Sequence, residues 1–146
     1  MNDTQLISLD LDACLQHLRH EKVGRIAVVH DEYPLVVPVN YRFVDAAQRN
    51  WVALRTRAGN LIDRASPRVA FEIDGIDDTH RRGWSVLVRG TLLPVDESAA
   101  DFKEQFDTDT WLSAGRDTWL VLEPFSITGR SLEPGTPWPF STDAYL

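Results

Sequence analysis

The stretch Leu54-Arg55-Thr56-Arg57-Ala58-Gly59-Asn60-Leu61 holds residue types suited to an anion. It reads as a strand end, a glycine-containing turn and a helix start. At such a junction free backbone N–H groups meet the positive end of the helix dipole. Arg55 and Arg57 can offer charge-assisted hydrogen bonds and Thr56 a hydroxyl, which is the chemistry a phosphate asks for. Two solvated arginines beside an ordinary turn fit the same segment. A second candidate is Pro38, set in the middle of an apolar run. A proline there lacks a ladder donor and marks an edge, a bulge or a place where something other than a strand meets the backbone. A flat heteroaromatic ring suits such an edge, and so does a proline that only guards the edge against aggregation.

Other clusters carry less. Cys14, His17 and His20 invite a metal, but at about 100° per residue they spread over about 120° of a helix and cannot converge on one ion unaided. Neither a C-x-x-C pair nor an H-E-x-x-H helix is present, so no metal site is expected. Asp74, Asp77 and Asp78 lack the spacing of a calcium loop and read as a solvated turn. Ser85 and Ser126 lack the flanking glycines of a nucleophile elbow. His30 and His80 read as exposed loop histidines. No catalytic pair emerges.

Composition narrows the classes. The chain has 146 residues, enough for one domain with a real core and too few for two. Lys and Arg number 15 against 22 Asp and Glu, and the net charge of -7 argues against nucleic acid as a general partner. Cys14 is the single cysteine, so no internal disulfide forms, and Met1 to Gln5 carries no apolar leader pattern. No run approaches the roughly 18 apolar residues of a spanning helix. A cytoplasmic protein without membrane attachment is expected.

The elements that must position these residues follow from periodicity. Leu11, Cys14, Leu15 and Leu18 mark one face of a helix within Ser8 to Glu21, with Ser8 and Asp10 as available caps. Arg25 to His30 and Leu35 to Val44 read as a hairpin around Asp31 to Pro34, and Trp51 to Thr56 as a third strand. A short helix from Asn60 ends before Pro67. Val69, Phe71 and Ile73 alternate with polar neighbours, giving a half-buried strand. A polar loop follows over Gly75 to Arg82, then a long strand from Gly83 to Val95. A helix over Glu97 to Phe106 and a last strand over Thr118 to Thr128 complete the set. Six strands with short helices suit a small closed or partly closed barrel rather than an alternating parallel sheet. Residues 131–146, with Trp138, Phe140 and Tyr145 among prolines, read as an extended tail on a domain of residues 1–130.

Taken in order, Val23-Gly24-Arg25-Ile26-Ala27, Pro38-Val39-Asn40-Tyr41, Arg55-Thr56 with Gly59, Val69 to Asp74, Gly83-Trp84-Ser85-Val86 with Gly90, and Ile127 to Arg130 carry a likeness. Over about residues 8–130 the chain resembles the FMN-binding split-barrel proteins of the pyridoxamine 5'-phosphate oxidase-like superfamily. The resemblance implies a mainly β fold, a six-stranded antiparallel split barrel, working as a homodimer with an FMN in each of two interface grooves. By the same likeness Pro38, Val39, Asn40 and Tyr41 line the isoalloxazine, Arg55 and Thr56 hold the phosphate, Ser85 meets the ribityl phosphate and Trp84 lies beside the cofactor. Arg57, Gly59 and Asn60 belong to the phosphate end. Relatives place a lysine where this chain has Asn60, with Arg57 and Arg64 as nearby cations. The implied activity is an FMN-dependent oxidoreductase passing hydride through flavin N5 to a small substrate. A non-catalytic flavin store or sensor, or a barrel holding a deazaflavin or haem, stands as the alternative. No dense basic patch suits a deazaflavin tail, and haem needs an axial ligand from the four histidines or Cys14.

Overall fold

The computed structural model describes residues 6–46, 49–56, 66–95 and 118–133. Its elements are β1 (Leu6–Leu9), α1 (Leu11–His20), β2 (Val23–His30), β3 (Tyr33–Ala46), β4 (Arg49–Thr56), β5 (Arg68–Asp77), β6 (Arg82–Pro94) and β7 (Thr118–Leu132). The expected short helix after Gly59, the helix over Glu97 to Phe106 and the tail beyond Glu133 lie outside the described residues.

The strands run antiparallel in the order β1-β7-β4-β3-β2-β5-β6, and β6 pairs back onto β7 to close a ring of six. One edge of β7 meets β6 from Leu120 to Leu132. The other edge is shared, with β4 on Thr118 to Leu122 and β1 on Gly129 to Leu132. Residues 123–128 pair with neither on that side, which is the split in the barrel. α1 packs near its far end, where a Cβ on Gly129 would stand 2.6 Å from Cys14 Sγ, so only glycine lets helix and strand approach so closely.

The mainly β split barrel expected from the sequence is the observed fold, with one strand more. The helix begins at Leu11 because the Asp10 carboxylate accepts from the Ala13 N–H at 2.8 Å. Ser8 stands in β1, four exposed or half-exposed residues held by their long-range pairing with β7 and by Leu9 against the core. Gly75 to Asp77, expected in a loop, extend β5 by pairing with Arg82 to Trp84. The β2–β3 hairpin turns on Asp31 and Glu32 alone, both at positive φ (49° and 69°). That is the two-residue turn whose twist matches the strands.

Period-two alternation decides what is inside. Ile26 and Val28 of β2, Phe71 and Ile73 of β5, and Val86 and Val88 of β6 are all buried, and α1 adds Cys14, Leu15 and Leu18 to the same core. A smaller cluster of Val44, Ala53, Trp119 and Val121 covers the opposite face of β3, β4 and β7.

Candidate functional site

The corner where β3 and β4 part company gathers the first group of candidate residues. Tyr41 N–H donates to Lys22 O at 2.9 Å, on the β2 side. Alternation therefore aims the backbone groups of Val37 and Val39 at β2, and those of Val36 and Pro38 away from it. On that far side β4 pairs with β3 only from Tyr41 to Ala46. No described strand takes the edge from Leu35 to Val39, so Pro38 costs the ladder nothing. The open edge offers the N–H of Val36 and the carbonyls of Val36 and Pro38. Arg55 follows directly on the last pair, Tyr41 with Leu54, which sets it beside Asn40. Its guanidinium carbon stands 5.8 Å from the Trp119 ring centroid. The Tyr41 side chain is committed elsewhere: it is buried, its hydroxyl donates to Leu18 O at 2.7 Å, and it meets Phe71 edge-on. Burial pushes its phenol well above the usual range.

Trp84 and Ser85 occupy a different part of the barrel. Trp84 stacks on His17 of α1, centroids 3.7 Å apart and planes 14° from parallel. A Cβ on its cross-strand partner Gly75 would stand 2.5 Å from the indole Nε1, so the ring lies across that glycine. Burial pulls the His17 pKa down, with Glu21 opposing. Ser85 faces outward between Asp74 and Arg130. Arg55 pairs with Trp119 near the start of β7 and Ser85 with Arg130 near its end. One barrel thus holds the two groups apart by most of the length of its longest strand. Thr56 ends β4 opposite Thr118, while Arg57, Gly59 and Asn60 lie outside the described residues.

The profile of the family described as pyridoxamine 5'-phosphate oxidase matches residues 10–131, nearly the whole described fold. The chain belongs to that family. An uncharacterized protein of Mycobacterium tuberculosis is 27% identical over 128 residues, which span 86% of this chain and 84% of the relative. Among solved structures, an FAD binding protein of Mycobacterium smegmatis is 26% identical with a TM-score of 0.66, the match covering 87% of this chain and 98% of that one. An FAD-binding protein of Mesorhizobium loti gives a TM-score of 0.74 at 23% identity, covering 90% and 99% of the two chains.

In this member of the pyridoxamine 5'-phosphate oxidase family, the outer face of the sheet carries groups that motif reasoning passed over. Arg25 of β2 reaches both Asp74 (Nη1 to Oδ2, 3.0 Å) and Glu72 (Nη1 to Oε1, 3.6 Å) of β5. Glu72 Oε1 is buried without a hydrogen-bond partner among the described residues. Burial, and then the neighbouring Asp74, push the Glu72 carboxyl up to about 7, with Arg25 opposing. Further along the same face, Ala27, Val29, Pro34, Ala70 and Phe125 line a groove of about 650 Å³ together with Arg68, Arg89 and Thr91. Phe125 is thrown outward by the bulge between β6 and β7, where Arg89 pairs with Ser126 and Gly90 with Pro124. The sequence did hold a signal for this face: period-two strands put Arg25, Glu72 and Asp74, and Arg68 and Arg89, on outward positions.

Proposed function

We propose that the chain is a cytoplasmic, homodimeric flavoprotein, an FMN-dependent oxidoreductase acting on a small substrate. The observation that carries this is the open β3 edge at Val36 and Pro38, which ends two residues from Asn40, the residue level with Arg55. Its single N–H can donate to a flavin carbonyl and a neighbouring edge carbonyl can accept from the ring N3–H, and the Arg55 guanidinium fits a phosphate. Bound there, the flavin supplies two-electron transfer at N5. The protein's part is to orient the ring along the edge, to neutralise the phosphate and to keep water from the reacting face. Family membership supports a flavin, and so does the FAD binding protein of Mycobacterium smegmatis at 26% identity.

The separation of Arg55 from Ser85 supports a homodimer. A single flavin reaches both only if one barrel provides Arg55 and a second provides Ser85. The outer face beside the β3 edge has apolar surface for such an association, with Val36 at 66% exposure. Val36→Glu should halve the mass read by light scattering while the monomer stays folded. A wild-type chain that is already monomeric at micromolar concentration removes the shared site.

The cofactor is tested by one absorption scan of the purified protein and by mass spectrometry of what it releases. A flavin spectrum with an FMN mass is expected. An FAD mass would move the chain to the chemistry its 26%-identical relative is named for, and a deazaflavin spectrum or a Soret band would overturn the flavin. Arg55→Ala should weaken FMN by roughly tenfold or more and riboflavin hardly at all, because the guanidinium is assigned to the phosphate and not to the ring. Equal losses would mean that Arg55 acts through folding. Bound flavin that no nicotinamide reduces would make the protein a carrier or sensor.

A further inference from the structure

Arg68 and Arg89 stand diagonally across the β5–β6 pair, Arg68 opposite Thr91 and Ala70 opposite Arg89. Like charges so placed repel. Arg89 Nη2 donates to Ser126 Oγ at 3.3 Å, and its guanidinium carbon lies 5.2 Å from the Phe125 centroid. Among the described residues neither arginine pairs with a carboxylate, although Glu123 stands on the row of Arg68 and Thr91 and Glu72 on the outward row next to Arg89. Glu72 and Asp74 are engaged with Arg25 instead. Beside the two cations the groove is apolar, with Ala27, Val29, Pro34 and Ala70 as its floor and Phe125 as one wall. Its volume of about 650 Å³ falls in the range that takes a small organic molecule.

We propose that this groove binds a flat apolar organic anion, of which an arylcarboxylate is the simplest form. Arg68 and Arg89 hold the charged group, Thr91 offers a hydroxyl beside it, and Phe125 and the small floor residues receive the ring. Two guanidiniums around one carboxylate relieve their mutual repulsion, and the hydrocarbon body covers apolar surface that is otherwise exposed to water. The groove also adjoins the point where the chain re-enters the barrel after the phosphate-end segment, since Ser66 N–H donates to Val29 O at 3.2 Å and Leu92 N–H to Pro67 O at 2.7 Å. Binding of the anion stands on the groove alone.

The test compares 2-naphthoate with its neutral counterpart 2-naphthalenemethanol by titration calorimetry on the full chain as purified. Naphthoate should bind roughly tenfold tighter or better, and added salt should shrink that preference. The double variant Arg68→Gln with Arg89→Gln should bring the ratio of the two affinities close to one, with flavin content unchanged. Thr91→Glu, which places a carboxylate opposite Arg68, should do the same by neutralising the groove, and it serves if the double variant does not fold. Phe125→Ser should weaken both compounds alike. Equal affinities in the wild type, or a preference that survives both the double variant and Thr91→Glu, would overturn the proposal. Arg55→Ala separates the two sites: it should release FMN and leave the naphthoate preference intact.

Discussion

The two faces of β2, β5 and β6 come from the same alternating sequence and meet opposite fates. Inward, Ile26, Phe71 and Val88 follow one another across the three strands, each fully buried with only apolar neighbours to satisfy. Outward, the next row sets Arg25 against Glu72 and Leu87, and the row after that sets Ala27 against Ala70 and Arg89. The inner face is complete within one chain. The outer face holds exposed apolar side chains, two cations without carboxylate partners among the described residues, and a carboxyl poised near neutrality. Stability is therefore written on one side of these strands, and the capacity to bind on the other.

Mutations should separate the faces cleanly. Phe71→Ala empties the centre of the inner face and removes the edge-on contact with Tyr41, at a cost of about 3–5 kcal/mol in denaturant unfolding. A loss below about 1 kcal/mol would mean that the core is looser than its burial implies. Gly90→Ala comes next, because its Cβ would run into the carbonyl oxygen of Glu123 at the bulge. Since backbone must shift to admit it, about 1–3 kcal/mol is expected, and Phe125 should lose its outward setting along with the groove.

The smallest effect belongs to Glu72 and shows itself only against pH. Its carboxyl is raised from 4.5 to about 7 in the folded chain, so between those values the folded state holds a proton that the unfolded state has released. The stabilisation this brings is whole below about 4.5 and disappears as pH climbs through about 7. Glu72→Gln should match the wild type near pH 4 and exceed it above pH 7, by no more than about 1 kcal/mol, since solvent screens a carboxylate that is a third exposed. Unfolding temperatures measured from pH 4 to 8 would show it. A difference that grows toward acid would reverse the assignment and make Arg25–Glu72 a net stabilising pair.

Strands that bury one face announce themselves by period two, and for that reason Val69 to Asp74 and Gly83 to Pro94 were legible before any coordinates. β1 was not, because Leu6 to Leu9 are too few and too exposed to carry a pattern, and what makes them a strand is Gly129 to Leu132, more than a hundred residues downstream. Gly75 to Asp77 escaped for a related reason: at a hairpin tip polar residues can face water and still keep the ladder. In the candidate site, local chemistry singled out Pro38 and Arg55 separately, and the β3–β4 register is what brings them to one corner. The distance between Arg55 and Ser85 could not, being a property of how β7 threads between β4 and β6. Nor could the bulge that turns Phe125 outward, which depends on register rather than residue type.

That β7 closes the ring has a consequence for synthesis. Every other barrel strand has left the ribosome before Thr118 to Leu132 emerge, and until they do, β4 and β6 both present a bare edge and the inner faces have no seam. The chain must pass through a long interval in which its last strand is missing and its most adhesive surfaces are open. The order of translation thus makes β7 the step on which commitment to the fold waits, and a helper that shields nascent edges would act on this chain before residue 118 and lose the edges of β4 and β6 once β7 has paired with them.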